Sequence, residues 1–255
     1  MKLEEKALIV TGSSMGIGEA IARRAVSEGA RVLVHGKEAD LCAALAGELG
    51  MPFCAGDVSD PAHCEELVAA GVEAFGKLDG VVNNAGVVWR ALLDKTDAEF
   101  WDSVMAINAR APLLIIRAAL PHLEASGGAV VNIGSVNAYS GEPNLLAYSA
   151  AKGALMTLTR NLGDTLHRES GVRVNQINPG WVLSEGERRR KIDEGMDPDW
   201  FEKLDRATAP SGRILRPEEI AATVVHFLTD ELGPVSGQVL ELEQFPFIGR
   251  NPPKC

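Results

Sequence analysis

Basic residues are scarce in this chain. Against 35 Asp and Glu it carries 25 Lys and Arg, a formal net charge of -10 over 255 residues. A surface of that sign disfavours non-specific attraction to nucleic acid or to an anionic membrane. Cysteine is scarce too: Cys42, Cys54, Cys64 and Cys255 form no CxxC pair and no His/Cys metal spacing. They read as reduced thiols of a cytosolic protein with no bound metal. Long apolar runs are missing, since Leu113 to Ile116 is stopped by Arg117, far short of a bilayer span. The charged stretch Met1 to Lys6 leads only into Ala7 to Val10 before Thr11 and Gly12, so no signal peptide fits. The expected address is cytoplasmic.

Hydrophobic residues make up 46% and charged residues 24%, as in ordinary soluble globular proteins. Apolar, β-branched runs at 7–10, 31–35, 51–55, 80–83, 128–133, 173–177 and 239–241 read as strands. Helix-length segments lie between them at 18–28, 39–49, 62–75, 97–124, 147–168 and 217–229. Strict alternation predicts one α/β domain over residues 1–255, a doubly wound parallel sheet with helices on both faces. No linker, repeat or low-complexity segment suggests a second domain. Residues 185–210 form a charged, helix-compatible insertion, expected as a lid over a site. Pro112 interrupts the pattern 97–124 and should bend or break it near 108–112.

Tyr148 and Lys152 are four residues apart, and Ser135 ends an apolar run thirteen positions upstream of Tyr148. On a helix, positions i and i+4 share one face, which would bring phenol and ammonium into the same space. A phenol with a pKa of about 10 is a poor acid or base at neutral pH. A neighbouring cation favours the phenolate and lowers that value. With a serine hydroxyl at hand, the trio points to proton chemistry on a C–O bond. Taken alone, a Tyr/Lys pair at this spacing also occurs on solvated helix faces.

The stretch from Val10 to Gly18 (Val-Thr-Gly-Ser-Ser-Met-Gly-Ile-Gly) follows the first strand and opens a helix. Doubly wound sheets bind dinucleotides in that crevice. Gly12 suits the sharp turn, Gly16 the approach of pyrophosphate to the backbone, and Gly18 close packing of helix on strand. Later strands end in further candidate loops: Asp57 and Val58, then Asn83 to Gly86 (Asn-Asn-Ala-Gly), Ser135, and Pro179 with Gly180. Ligands of open parallel sheets bind at those ends.

Together with Asn108, Tyr148 and Lys152, these motifs resemble the short-chain dehydrogenase/reductase family, in order and across the whole chain. The resemblance implies a Rossmann-type fold and hydride transfer between a nicotinamide and a carbonyl/alcohol pair. It implies Tyr148 as acid/base, Ser135 as hydrogen-bond partner of the substrate oxygen, and Lys152 on the nicotinamide ribose, lowering the Tyr148 pKa. Asn108 would hold a water linking Lys152 to solvent. Ser14, Met15 and Ile17 of the glycine loop, together with Asn84, Ala85 and Gly86, would lie along the cofactor, and Asp57 and Val58 beside the adenine. Pro179, Gly180, Val182 and Ser184 would approach the nicotinamide. No metal is implied.

The second strand ends in Val34, His35, Gly36, Lys37 and Glu38. Gly36 stands where NAD-preferring relatives carry an acid, and Lys37 suits a 2′-phosphate, so NADP(H) is expected over NAD(H). The substrate pocket is expected at Val87, Val88 and Trp89, at Asn137, Tyr139 and Glu142, and at Trp181 with residues 185–210. That mixture suits a small polar molecule such as a sugar, polyol or sugar acid. A hydrophobic ketone, a 3-oxoacyl carrier-protein substrate and a non-catalytic nucleotide-binding role are the competing readings; the acidic surface disfavours an acidic carrier protein. Arg188, Arg189, Arg190 and Lys191 lie among Glu185, Glu187, Asp193 and Glu194 and read as a solvated helix face. Excess apolar residues on 97–124 and 147–168 predict a homo-oligomer, dimer or tetramer, with the stretch from Phe245 to Pro253 against a neighbouring subunit.

Overall fold

The computed structural model describes residues 1–139 and 141–246. Its strands are β1 (Ala7–Val10), β2 (Arg31–Gly36), β3 (Phe53–Ala55), β4 (Gly80–Asn83), β5 (Ala129–Ile133), β6 (Arg173–Pro179) and β7 (Val239–Leu242). All neighbours pair in parallel in the order β3-β2-β1-β4-β5-β6-β7. The order reverses between β1 and β4, which opens a crevice at the C-terminal strand ends. Seven parallel strands with helices on both sides make the doubly wound sheet that the alternation of runs predicts and the Rossmann-type fold that the resemblance implies.

The helices are α1 (Gly16–Ser27), α2 (Ala39–Leu49), α3 (Pro61–Phe75), α4 (Ala98–Met105), α5 (Ala111–Ser126), α6 (Leu146–Ser170), α7 (Glu185–Asp193) and α8 (Pro217–Leu228). Successive strand residues feed opposite faces. Leu8, Val10, Val32, Val34, Val131 and Ile133 pack with α1, α2 and α8. Ile9, Leu33, Val81 and Val130 pack with α3, α5 and Leu166 of α6. Both faces are covered, so the strands read as continuous apolar runs.

The break expected near 108–112 takes the form of a π-helical turn, Ala106–Arg110, that joins α4 to α5. Pro112 has no N–H to give and its ring crowds the carbonyl one turn back; widening the turn relieves both. Asn108 sits in that turn, fully buried. The stretch Ala98–Ser126 is long and apolar enough to cross a membrane by length and composition, yet half of that window is buried inside the molecule.

In the insertion 185–210 only α7 and a short 3-10 turn, Trp200–Glu202, are helical. The remainder is held by a small cluster of its own, Trp200, Ala209 and Ile214, with Trp200 stacked on Trp181 at 5.1 Å. Of the C-terminal stretch expected against a neighbour, residues 247–253 lie outside the described ones. Cys42, Cys54 and Cys64 are free thiols, and burial raises the pKa of all three, Cys64 to about 11.

Candidate active site

The crevice is one cavity of about 1690 Å³ that runs from the glycine loop to the loop after β6. Pockets for one small ligand occupy about 300–1,000 Å³, which leaves space here for two. Of the site residues expected from the sequence, Gly18 and Tyr139 are absent from its wall. A Cβ on Gly18 would lie 2.1 Å from the Gly12 carbonyl oxygen, so this glycine serves the packing of α1 on the loop.

The glycine loop is bound down on three sides. Gly12, at φ +62, gives its N–H to His35 Nδ1 at 3.1 Å. The Ser13 N–H goes to the His35 carbonyl at 2.7 Å. Thr11 Oγ1 accepts the N–H groups of Asn84 and Ala85, both at 2.9 Å, and Asn84 Nδ2 donates to the carbonyls of Thr11 and Gly12. Asn84 thereby ties two strand-end loops together. The N-terminus of α1 has no side-chain cap, and such an end favours an anionic group.

At the far edge Lys37 Nζ lies 2.8 Å from Asp57 Oδ2. The hydrogen bond from Lys37 holds Asp57 down at about 2, and the same bond raises Lys37. A Cβ on Gly36 would fall 2.4 Å from Ser14 Oγ, so Ser14 fills the place a side chain at 36 would need.

Ser135, Tyr148 and Lys152 converge at the middle of the cavity. Ser135 follows β5 by two residues, accepts the Asn137 N–H at 3.1 Å and faces the Tyr148 phenol, whose pKa it pulls down against burial. Lys152 Nζ donates to the Ile133 carbonyl at 2.8 Å and lies 5.8 Å from the centre of the Tyr148 ring. The sequence places the ammonium where it lowers the phenol; in the structure burial dominates and raises Tyr148, with Ser135 and then Arg90 pulling the other way. Burial also lowers Lys152, to about 8. Asn108 spends its amide on the loop after β4: Nδ2 donates to the Val87 and Val104 carbonyls, both at 3.1 Å, and Oδ1 accepts the Val87 N–H at 3.3 Å. A water at this turn would have to use the backbone of Asn108.

Behind Ser135 lies a chain of buried polar groups that sequence reading missed. Asn83 Nδ2 donates to Asn132 Oδ1, and Asn132 Nδ2 to Thr159 Oγ1. Thr159 donates to Gln176 Oε1, Gln176 Nε2 to Asn178 Oδ1, and Asn178 Oδ1 accepts the Ser135 N–H. A Cβ on Gly134 would fall 2.0 Å from Asn178 Oδ1, so glycine is required there. The available signal was Asn175, Gln176 and Asn178 inside a strand that is buried at every residue, because buried polar groups need partners.

The end of the cavity farthest from the glycine loop, where the substrate pocket is expected, is polar and charge-compensated. Arg90 pairs with Glu142 at 2.6 Å and also donates to Asn144 at 3.1 Å. Arg190 pairs with Glu187 at 2.6 Å and with Glu194. Trp181 gives its Nε1–H to Glu187 at 2.8 Å, while Trp89 is 44% exposed at the rim. Tyr139 is absent from the wall; its hydroxyl turns to Glu241 and Asn178. Ser184 caps α7 through the Glu187 N–H. The basic run divides: Arg189 is solvated, but Arg190 and Lys191 are largely covered at the cavity wall. Among the described residues no cluster of His, Cys, Asp or Glu could hold a metal.

A parallel sheet with a glycine loop at its reversal point, sharing one cavity with a Ser-Tyr-Lys cluster, has the architecture of an oxidoreductase. A family model described as enoyl-(acyl carrier protein) reductase matches residues 12–243. Among similar proteins is an L-fucose dehydrogenase of Mus musculus, 37% identical over 89% of this chain and 82% of that protein. A 2-(S)-hydroxypropyl-CoM dehydrogenase 3 of Xanthobacter autotrophicus is 34% identical over 95% of this chain and 98% of its own. An NADP-dependent (R)-specific alcohol dehydrogenase of Lentilactobacillus kefiri is 31% identical, covering 90% and 92%. The chain belongs to the short-chain dehydrogenase/reductase family and is an oxidoreductase acting on alcohol or carbonyl groups.

Proposed function

We propose that this enzyme interconverts an alcohol and a carbonyl on a small, polar, hydroxylated substrate of the sugar, polyol or sugar-acid kind, with NADP(H) preferred over NAD(H). The observation that carries the substrate class is the rim of paired charges. Arg90 with Glu142, and Arg190 with Glu187, leave no large net charge but many donors and acceptors beside Trp89. Neutral hydroxyl groups suit such a rim better than a bare hydrocarbon. Similarity to an L-fucose dehydrogenase points the same way.

The residues present fit a dinucleotide: an uncapped helix end at α1 for the pyrophosphate, Lys37 at the cavity edge, and Gly86 where a Cβ would meet Asn108 Oδ1 at 2.8 Å. When bound, the nicotinamide supplies or accepts hydride. In the alcohol-to-carbonyl direction Tyr148 takes the hydroxyl proton, and Ser135, which faces it, holds the same oxygen. The Lys152 ammonium favours the phenolate form that takes this proton, because opposite charge favours the ionised form. Ser14 in the space beside Gly36 leaves no place for the carboxylate that would bind a free 2′-hydroxyl, which supports NADP(H).

Cytoplasmic residence fits the free thiols. Exposed Leu113 and Leu146, on α5 and α6, support a homo-oligomer built on those helices. The test is turnover of polyols, sugars, sugar acids and aliphatic ketones with both coenzymes, followed by nicotinamide absorbance. Activity confined to apolar ketones would refute the substrate class, and an NADH preference of about tenfold, or roughly 1.4 kcal/mol, would refute the coenzyme.

A further inference from the structure

Two imidazoles lie beneath the coenzyme end of the cavity, and neither touches the reacting groups. His35, on β2, is 2% exposed, and His63, on α3, is 8% exposed. His35 Nδ1 accepts the Gly12 N–H at 3.1 Å. A ring nitrogen that accepts carries no proton, so neutral His35 must hold its proton on Nε2. That nitrogen is 3.2 Å from His63 Nε2. One of the two must donate and the other accept, so His63 accepts there and keeps its own proton on Nδ1. His63 Nδ1 faces Glu66 Oε2 at 3.6 Å. The ring centres are 5.4 Å apart and the planes 29° from parallel, as an end-to-end bond between nearly coplanar rings requires.

The pair touches both loops that flank this end of the cavity. On one side Gly12 is bound to the ring, and Ser13 exchanges hydrogen bonds with the His35 backbone: its N–H goes to the His35 carbonyl and its Oγ accepts the His35 N–H. On the other, a Cβ on Gly56 would fall 2.1 Å from His63 Cε1, so the loop carrying Asp57 and Val58 rests against His63. The charged and titratable groups facing the pair are Asp57 from that loop, Glu66 on α3, and Cys54, which is the β3 partner of His35. Lys37 occupies Asp57.

We propose that His35 is a positioning residue for the dinucleotide: neutral, in a single tautomer fixed by His63, it holds the Gly12 N–H and so sets the glycine loop in the shape that receives the pyrophosphate. This rests on the coenzyme reading given under Proposed function. Gly12, at a positive φ that glycine adopts without strain, turns its N–H down onto the His35 ring. A side chain with no acceptor would leave a half-buried donor without its partner. A protonated His35 would set donor against donor and push the loop away.

The test is coenzyme affinity of the full chain at neutral pH, by titration calorimetry with NADPH and with NADH. His35→Leu should weaken both by about tenfold or more, whereas His35→Asn, whose amide oxygen can take the Gly12 N–H, stays within about threefold. Turnover at saturating coenzyme should be retained in both variants. Equal weakening by the two variants, or none, overturns the proposal. Should His35→Leu fail to fold, the ring nitrogens of the unsubstituted protein decide by NMR: an unprotonated Nδ1 on His35 supports it, and a proton there overturns it. An unsubstituted protein that binds neither coenzyme removes the coenzyme reading as well, an outcome distinct from a missing contrast between the variants.

Discussion

The Asn178 side-chain oxygen accepts the backbone N–H of Ser135 at 3.1 Å. It also accepts from Gln176 at 2.7 Å, so the serine is held from behind by a side chain that is itself fixed. Buried polar groups tied in series lose more than one bond when a link is cut.

Asn178→Leu should therefore lower kcat by about 10²-fold, the cost of displacing a reacting group by roughly an ångström. Coenzyme affinity should be unchanged, because Asn178 does not line the cavity. Steady-state kinetics together with coenzyme titration separate the two quantities.

Lys37 is 70% exposed and shared with Asp57. Lys37→Ala should reduce kcat/KM for NADPH by about tenfold, the size of one lost charge-assisted contact, and leave NADH nearly unaffected. An equal loss for both coenzymes would place Lys37 outside 2′-phosphate recognition.

Acid stability should reflect His35, whose value is lowered from 6.5 to about 4 first by burial and then by His63. Between those values the unfolded chain binds the extra proton and the folded one does not, so stability rises with pH across the window and falls on acidification. The loss between pH 6.5 and 4 is on the order of 3 kcal/mol. Urea unfolding at several pH values measures it, and His35→Asn should flatten the slope. Asp57, lowered to about 2, contributes only below that window.

Lys152, lowered by burial to about 8, loses its charge as pH rises through that value. kcat/KM should fall on the alkaline side with an apparent pKa near 8. Lys152→Arg, charged throughout, should be slower but without that limb.

Most of the fold was legible because strands buried on both faces show as apolar, β-branched runs, and β1 and β4 coincide with those runs. The Ser135, Tyr148 and Lys152 cluster was legible because its spacing survives folding: one helix carries two members and a strand end the third. Spacing could not tell where the Lys152 ammonium points. It lies over the Tyr148 ring and reaches for Ile133, since a buried cation takes the nearest carbonyl. His63 was invisible because it meets His35 only through the packing of α3 on the sheet. Arg90 and Asn144 come from loops and Glu187 from α7, elements that share no period, and the rim they form exists only after the strand ends are brought together.

The most direct measurement is turnover of Tyr148→Phe, with coenzyme affinity and thermal stability recorded alongside. Loss of about 10²–10⁴-fold in kcat, the usual share of general acid–base catalysis, with coenzyme still bound, is the expected result. A folded Tyr148→Phe enzyme that turns over its substrate at the unsubstituted rate would contradict the account.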